Sequence, residues 1–262
     1  MMKKNCSVEA WWRVMCMAGI FVLCVCGAVM GQALEHDFLE ASHAYKENNY
    51  DQAIALYEAM LMKGYESGNL YYNLANNYFK KGELAKALLH YKRAELFIPG
   101  DSDLKANYSY CRSLLQLGQD EPEENWFLRL IDAAFAAFNL DCLVIVLSLM
   151  QAMFFLLAML YQFAHGRKRL CKAGSVICVV IFLLGAIAFK RKIEYQKRAA
   201  VVMVKELESK FEPLESATTH FILPEGVTVE VLESSGAWHK IRRVDAKIGW
   251  VNKEGLAFIA AR

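Results

Sequence analysis

The 262-residue sequence lacks a surplus of either charge, since its 30 Lys and Arg residues are balanced by 28 Asp and Glu residues. Nucleic-acid-binding proteins usually carry a basic surplus or a basic stripe, so nucleic acid is not an expected partner. The sequence also lacks a glycine-rich phosphate loop, a GxSxG nucleophile motif and an HExxH zinc motif. We therefore expect the protein not to be an enzyme and to hold neither a cofactor nor a metal.

The chain has eight cysteines, but cysteine is scarce outside its apolar segments, where a disulfide could stabilise a folded domain. Four lie within residues 1–33 and three in or beside later apolar runs, which leaves Cys111 alone in a segment of ordinary composition. A single thiol forms no intramolecular bridge, and no CxxC pair is present to hold zinc. We expect the cysteines to act as small buried apolar side chains.

Apolar residues are in excess at 56% of the chain, with a mean hydropathy of +0.18. At the start, Lys3 and Lys4 precede an apolar run over residues 14–30, and a small-x-small site ends at Ala33. This order is typical of a secretory signal, which would occupy residues 1–33. An uncleaved anchor is the alternative. Both interpretations predict that the chain from residue 34 lies outside the cytoplasm.

The chain then repeats itself with a period of 34 residues, in a first copy over 34–67 and a second over 68–101. Small and aromatic residues recur at matching positions: Ala41 and Ala75, Asn48 and Gly82, Ala53 and Ala87, Tyr57 and Tyr91. The second copy resembles the tetratricopeptide repeat in its Tyr71-x2-Leu74-Ala75-x2-Tyr78 run and its final Pro99. The resemblance implies an all-α helical array, with helices near 68–81 and 84–97. Apolar residues at helical spacing predict a capping helix over 102–118.

Tetratricopeptide arrays bind partners on the face formed by the first helix of each repeat. The resemblance implies that this face carries Phe38, Tyr45, Tyr72, Asn76, Phe79, Lys80 and Tyr110. Aromatic rings beside amides and lysines suit an extended peptide. One alternative is a clamp for a C-terminal carboxylate, for which Asn76 and Lys80 are suitable but form an incomplete set. The other is a row of ordinary solvated residues.

Two apolar runs, 140–163 and 173–189, are long enough to cross a membrane. The basic residues of the turn between them, 164–172, predict that this turn is cytoplasmic. Five further basic residues crowd 190–198, at the opposite end of the second run, which conflicts with that orientation. Gln151, with Gly174, Ser175 and Gly185, is predicted to pack the spans together.

Residues 119–139 connect the repeats to the first span. They begin with an acidic linker and continue with apolar residues spaced by three and four. This pattern predicts an amphipathic helix that lies at the membrane interface. The alternative is an outward extension of the first span.

The C-terminal residues 190–262 alternate short β-type runs with turns, with strands predicted at Ala199–Val204, Phe221–Leu223, Val227–Glu233, Trp238–Arg243, Ile248–Val251 and Leu256–Ile259. The order of strands and turns around Gly249-Trp250-Val251 resembles bacterial SH3 domains, which implies a small closed all-β barrel. By analogy, Trp238, His239 and Trp250 are candidates for contact with cell-wall peptides. The alternative is that the barrel docks on a neighbouring domain.

The order of signal, repeats, membrane hairpin and SH3-like barrel resembles the BatE-type proteins of the Bacteroides aerotolerance operons. The run from Gly64 to Asp101 carries most of that likeness. The resemblance implies an inner-membrane protein with periplasmic domains and a role in envelope stress or oxygen tolerance. It also implies membrane partners with von Willebrand A domains and, indirectly, a MoxR-type AAA+ ATPase.

Three functions follow as hypotheses. The leading one is a periplasmic adaptor that binds partner proteins through the repeats. The alternative is a cell-envelope protein whose barrel binds peptidoglycan peptides. A membrane sensor is the third, although the turn at 164–172 is too short to hold an output domain.

Overall fold

A computed structural model describes residues 34–117, 126–163 and 168–260. The predicted signal segment, the acidic linker and the start of the basic turn lie outside the described residues. The chain divides into two compact units, one ending at Glu66 and the other beginning at Ser67.

The first unit is a pair of helices, α1 over residues 34–46 and α2 over Tyr50–Met62. α2 begins where the Asn49 side chain accepts a hydrogen bond from the Gln52 backbone N–H, because a helix leaves its first amides without partners. Ala41 and Ala53 are fully buried, as expected of small residues where helices cross closely.

The second unit begins with three helices, α3 over Gly68–Lys80, α4 over Leu84–Phe97 and α5 over Ser102–Leu114. α3 starts at Ser67 and α5 at Asp101, whose side chains accept from backbone amides three residues later at 3.2 and 2.8 Å. The predicted helical array is thus confirmed.

Three further helices follow, α6 over Trp126–Ala134, α7 over Leu140–Phe163 and α8 over Lys168–Arg198. α7 and α8 are long and apolar enough to cross a membrane by length and composition. α6 ends six residues before α7, so it is a separate helix and not an extension of α7. Asn139 caps α7 at the Cys142 N–H and donates to the Phe97 carbonyl at 3.0 Å, which ties α7 to the end of α4.

α8 is longer than the predicted span at both ends. Residues 190–198, which the sequence assigns to the C-terminal domain, continue this helix. Their lysines, arginines and glutamate break the apolar run, but they are good helix formers. α7 and α8 pack closely at two glycines of α8. A Cβ at Gly185 would lie 2.8 Å from Leu147, and one at Gly174 would lie 3.0 Å from Leu157.

The remaining residues form one antiparallel sheet of seven strands: β1 Ala199–Val202, β2 Glu206–Lys210, β3 Thr219–Pro224, β4 Thr228–Ser235, β5 Trp238–Arg242, β6 Ile248–Asn252 and β7 Leu256–Phe258. The strand order is β3-β2-β6-β5-β4-β1-β7. All seven strands contribute to one apolar core, so the sheet is curled. No pairing joins β3 to β7 within residues 199–260, where the sequence predicted a closed barrel.

Strand β2 was not predicted, because its sequence, Glu206-Leu-Glu-Ser-Lys210, contains one apolar residue and no β-branched residue. Its place in the sheet comes from tertiary contacts. Leu207 is 6% exposed in the core, and β2 pairs with β3 along its whole length.

Candidate functional site

Helix α3 places Tyr72, Asn76, Phe79 and Lys80 on one side, because residues three, four and eight apart share a helix face. The other side of α3 is buried, with Leu74 and Ala75 fully inaccessible. The amphipathic pattern of α3 therefore fixes which side chains face outward.

A hydrogen-bonded network orders the middle of this face. The Asn107 side-chain amide, from α5, donates to Tyr72 Oη at 2.8 Å and to Asn76 Oδ1 at 3.3 Å. The hydroxyl of Tyr91, from α4, donates to the same Asn76 Oδ1 at 2.7 Å. The Asn76 carbonyl oxygen is thus used within the protein, while its Nδ2 donor has no partner among the described residues.

The end of this face is more open. Tyr110 of α5 is 58% exposed, and its ring centroid lies 5.8 Å from that of the half-buried Phe79. Lys80 is exposed and forms no ion pair within the described part of the chain. We call the set Tyr72, Asn76, Phe79, Lys80, Asn107 and Tyr110 the α3/α5 face. It offers an aromatic pair, an amide donor and a cation.

The structure places the two remaining predicted groove residues, Phe38 and Tyr45, on α1 in the first unit. Both are half-buried. Phe38 packs edge-on against Tyr57 with 5.5 Å between ring centroids, and Tyr45 lies 5.8 Å from Tyr50.

Asn107 is a member of the α3/α5 face that the sequence motifs do not indicate. It lies 34 residues after Asn73, so extending the repeat period by one more copy would have pointed to this position. Its role depends on α5 meeting α3, which is a tertiary contact.

The opposite side of the same repeat is covered by the C-terminal sheet. Leu89 of α4 is 5% exposed and packs in a cluster with Ala199, Val201 and Ile259. Arg93, one turn along α4, donates to the backbone carbonyls of Ile259 and Phe258, both at 3.0 Å. Apolar contact and charge-assisted hydrogen bonds together hold the sheet on α4. We call this contact the α4/sheet interface.

The turn before β4 extends this contact. Gly226 has a φ of +81°, and a Cβ there would lie 2.7 Å from the methyl groups of both Leu88 and Leu115. Only glycine fits such a backbone conformation and such a close approach. The sheet is therefore shaped to dock on the helical array.

A stacked column of rings joins α3 and α4. The imidazole of His90 stacks on Tyr78 at 5.4 Å and on Tyr71 at 5.9 Å. Arg93 lies over Tyr71, and Lys86 lies over Tyr78. Burial, aided by the charges of Arg93 and Lys86, lowers the pKa of His90 to about 3, so the imidazole is neutral.

The structure separates the three candidate residues of the sheet. Trp238 and Trp250 lie on one face, where Lys210 is 5.7 Å from the Trp238 ring and Lys240 is 5.7 Å from the Trp250 ring. Trp238 is only 9% exposed, whereas Trp250 is half-buried.

His239 follows Trp238 directly and points to the other face of β5, because side chains alternate along a strand. There it contacts the Phe258 ring at 5.6 Å and the Ser234 hydroxyl at 2.8 Å. His239 is therefore not part of the surface formed by the two tryptophans.

A family model for the tetratricopeptide repeat matches residues 44–109, which span α2, α3, α4 and most of α5. The chain therefore contains a tetratricopeptide repeat region, and such repeats are generally protein-interaction modules. No curated protein matches the chain. Within the described ranges, no group of three or more His, Cys, Asp or Glu side chains could hold a metal ion.

Proposed function

We propose that the protein is a membrane-anchored adaptor of the bacterial inner membrane whose α3/α5 face binds an extended segment of a partner protein. Its repeats and sheet, the latter a divergent SH3-like domain, would lie in the periplasm. The partners would be membrane proteins with von Willebrand A domains, which connect it indirectly to a MoxR-type AAA+ ATPase. The assembly would serve envelope stress or oxygen tolerance, as in the BatE-type proteins that the sequence resembles.

The proposed binding site is inferred from the exposed end of the α3/α5 face. The Phe79 and Tyr110 rings form an apolar surface, and the Lys80 ammonium lies one residue from Phe79 without an ion-pair partner in the described chain. An apolar side chain of the ligand would pack on the rings. A carbonyl or carboxylate would accept from Lys80, and Asn76 Nδ2 would bind a backbone carbonyl.

The α4/sheet interface supports the proposed arrangement about the membrane. Since the sheet packs on α4, the chain before α7 and the chain after α8 must lie on one side of any bilayer. Two spans return the chain to its starting side, as this contact requires. With an exported start, that side is the periplasm and the basic turn is cytoplasmic.

Ion pairs account for part of the conflicting basic cluster at the end of α8. Arg191 forms a bidentate pair with Asp132 of α6, with a shortest distance of 2.7 Å. Lys190 pairs with Glu194 at 3.9 Å and Arg198 with Glu230 at 3.4 Å. These pairs tie part of the basic cluster to α6 and to strand β4.

Helix α6 fits a position at the membrane surface. Ile131, on its inner side, packs with Leu143 and Ala188 of the two long helices. Trp126 and Leu130, which are 74% and 59% exposed, point outward. Tryptophan prefers the headgroup region, so this outer side suits the lipid interface.

The test is affinity purification of the detergent-solubilised full-length protein, followed by identification of the bound proteins. Membrane proteins with von Willebrand A domains should co-purify with the wild type. The double variant Lys80→Ala, Tyr110→Ala should lose them, because each side chain contributes about 1–2 kcal/mol in a favourable contact. Both residues are exposed, so the substitutions leave the Tyr72–Asn107–Asn76 network in place.

Lys105→Ala is the matched control, since Lys105 is an exposed lysine on α5 that points away from Tyr110. It should bind like the wild type. Equal recovery of the same partners by the double variant would refute the α3/α5 face as the binding site.

The second candidate function is binding of peptidoglycan peptides by the sheet. The half-buried Trp250 beside Lys240 favours it, because an aromatic ring with a nearby cation can hold an acidic peptide. In that case the protein should sediment with murein sacculi, and Trp250→Ala should abolish sedimentation while Lys80→Ala, Tyr110→Ala leaves it unchanged.

A further inference from the structure

The polar side chains of α7 lie together on one side of an otherwise apolar helix. Its one carboxylate, its one serine and both glutamines fall on a stripe whose members are alternately three and four residues apart and are all exposed: Asp141, Val144, Ser148, Gln151, Phe155, Ala158 and Gln162. A stripe with this spacing is the usual contact surface of a helix packed against another helix.

Helix α8 does not cover this stripe. The side of α7 that meets α8 carries Leu143, Leu147 and Leu157, which contact Ala188, Gly185 and Gly174. The two glycines therefore pack the hairpin as the sequence predicts, whereas Gln151 does not face α8.

Gln151 lies near the middle of α7, roughly 17 Å from either end at about 1.5 Å per residue. If α7 spans the bilayer, this position is the centre of the hydrocarbon layer, and the side chain is too short to reach water. Its amide has no hydrogen-bond partner within the described chain. Ser148 differs, since its hydroxyl donates to the Val144 carbonyl at 2.8 Å.

An amide without a partner is unfavourable in hydrocarbon, so Gln151 needs a partner from outside this hairpin. We propose that this partner is Gln151 of a second copy of the chain, so that the protein is a dimer joined through the α7 stripe. The inference rests on the membrane anchoring in the proposed function.

A second copy supplies the amide with both kinds of hydrogen-bond partner. A glutamine amide has two N–H donors and a carbonyl acceptor, so a two-fold axis beside α7 lets one N–H of each Nε2 donate to the Oε1 of the other copy. The other members of the stripe would pack around this pair. A dimer would also present two α3/α5 faces on one side of the membrane, which raises the apparent affinity for a multivalent partner.

The experiment measures the mass of the full-length protein by sedimentation equilibrium in density-matched detergent micelles. We expect a wild-type dimer. Gln151→Leu should raise its dissociation constant by roughly tenfold, because the interhelical hydrogen bonds are lost. Gln162→Leu is the matched control, since it makes the same change on the same stripe at a depth where water can solvate the amide. It should change the constant by less than about threefold.

A wild-type monomer would overturn the inference, as would a Gln151→Leu variant that dimerises like the wild type or a Gln162→Leu variant that is equally impaired. Extraction of vesicles with alkaline carbonate separates this failure from failure of the proposed function. A chain that stays in the membrane but is monomeric refutes only the dimer. A chain that is washed off refutes the membrane anchor and the dimer together.

Discussion

The two sides of the second repeat differ in exposure, since one is accessible and the other is covered by the C-terminal sheet. The α3/α5 face carries the exposed Tyr110 ring beside the half-buried Phe79 ring, an amide donor and a lysine without an ion-pair partner in the described chain. The α4/sheet interface, only one helix away, is closed by Leu89 and Arg93 against the C-terminal sheet. One repeat therefore provides a surface for another molecule and a surface for its own chain.

The chemistry of the two sides explains the difference. α4 directs a leucine and an arginine at strand β1 and at two carbonyls near the chain end, so these groups are already satisfied. On the α3/α5 face the internal hydrogen bonds use Asn76 Oδ1 but leave Lys80 and Tyr110 accessible. Stability should therefore reside on the closed side and partner binding on the open side.

The largest effect is expected at the centre of the α4/sheet interface. Leu89→Ala should lower the free energy of unfolding by about 2–4 kcal/mol, because it removes buried apolar contacts with Ala199, Val201 and Ile259 and leaves a cavity. Urea denaturation of the full-length protein in micelles, followed by tryptophan fluorescence, measures this loss. Leu114→Ala, at a leucine that is 48% exposed, is the control and should cost less than about 0.5 kcal/mol. Equal losses would mean that the sheet gains nothing from α4.

The next effect concerns the polar part of the same interface. Arg93→Met keeps most of the side-chain volume but removes both hydrogen bonds to the carbonyls of Phe258 and Ile259. We expect a loss of about 1–3 kcal/mol in the same denaturation experiment. Lys105→Met makes a similar change at an exposed position and should be neutral. Stability unaffected by Arg93→Met would contradict the assignment of these bonds.

The 34-residue period reveals the repeat from sequence because each copy has its helices and turns at matching positions. The helices at Gly68–Lys80 and Leu84–Phe97 lie within one residue of the predicted 68–81 and 84–97. Asn48 and Gly82, which the 34-residue period aligns, both have positive φ, at 60° and 79°. The residue types at these two turns favour positive φ, so the turns can be predicted from the sequence pattern.

Features that depend on distant contacts were not predictable in this way. Strand β2 is charged and becomes a strand only because Leu207 enters the sheet core. Asn107 is an unremarkable helical asparagine until α5 brings it to Tyr72. From sequence, docking of the C-terminal domain on a neighbouring domain is only an alternative to the binding of cell-wall peptides. No local pattern marks Leu89 as a contact for β1.

The third effect is a pH dependence that arises from the stacked rings between α3 and α4. The pKa of His90 is lowered to about 3 by burial and by the charges of Arg93 and Lys86, while an unfolded chain takes up this proton near pH 6.5. The unfolded state therefore binds more protons between these values. The free energy of unfolding should fall as pH drops below about 6.5, by up to about 1.4 kcal/mol per pH unit.

His90→Phe keeps the ring stacking and removes the titrating group, so its free energy of unfolding should fall less between about pH 7 and about pH 5. Urea denaturation across this range gives the slope. The control is Leu114→Ala, at an exposed position without a titrating group, which should retain the wild-type slope. The same slope in the His90 variant would show that its imidazole is not kept neutral by the fold.

The smallest effect is expected on the open side, where the network orders the face without closing it. Asn107→Ala removes the hydrogen bonds to Tyr72 and Asn76 and should cost about 0.5–1.5 kcal/mol in urea denaturation. Asn73→Ala is a matched control, since Asn73 is also half-buried, holds the same place in the preceding repeat and has no side-chain hydrogen bond within the described chain. If both variants cost the same, the network does not order the face. If Asn107→Ala lowers stability more than Asn73→Ala and also weakens partner binding, the hydrogen bonds of Asn107 preorganise the face, because they hold Tyr72 and Asn76 in place for a ligand.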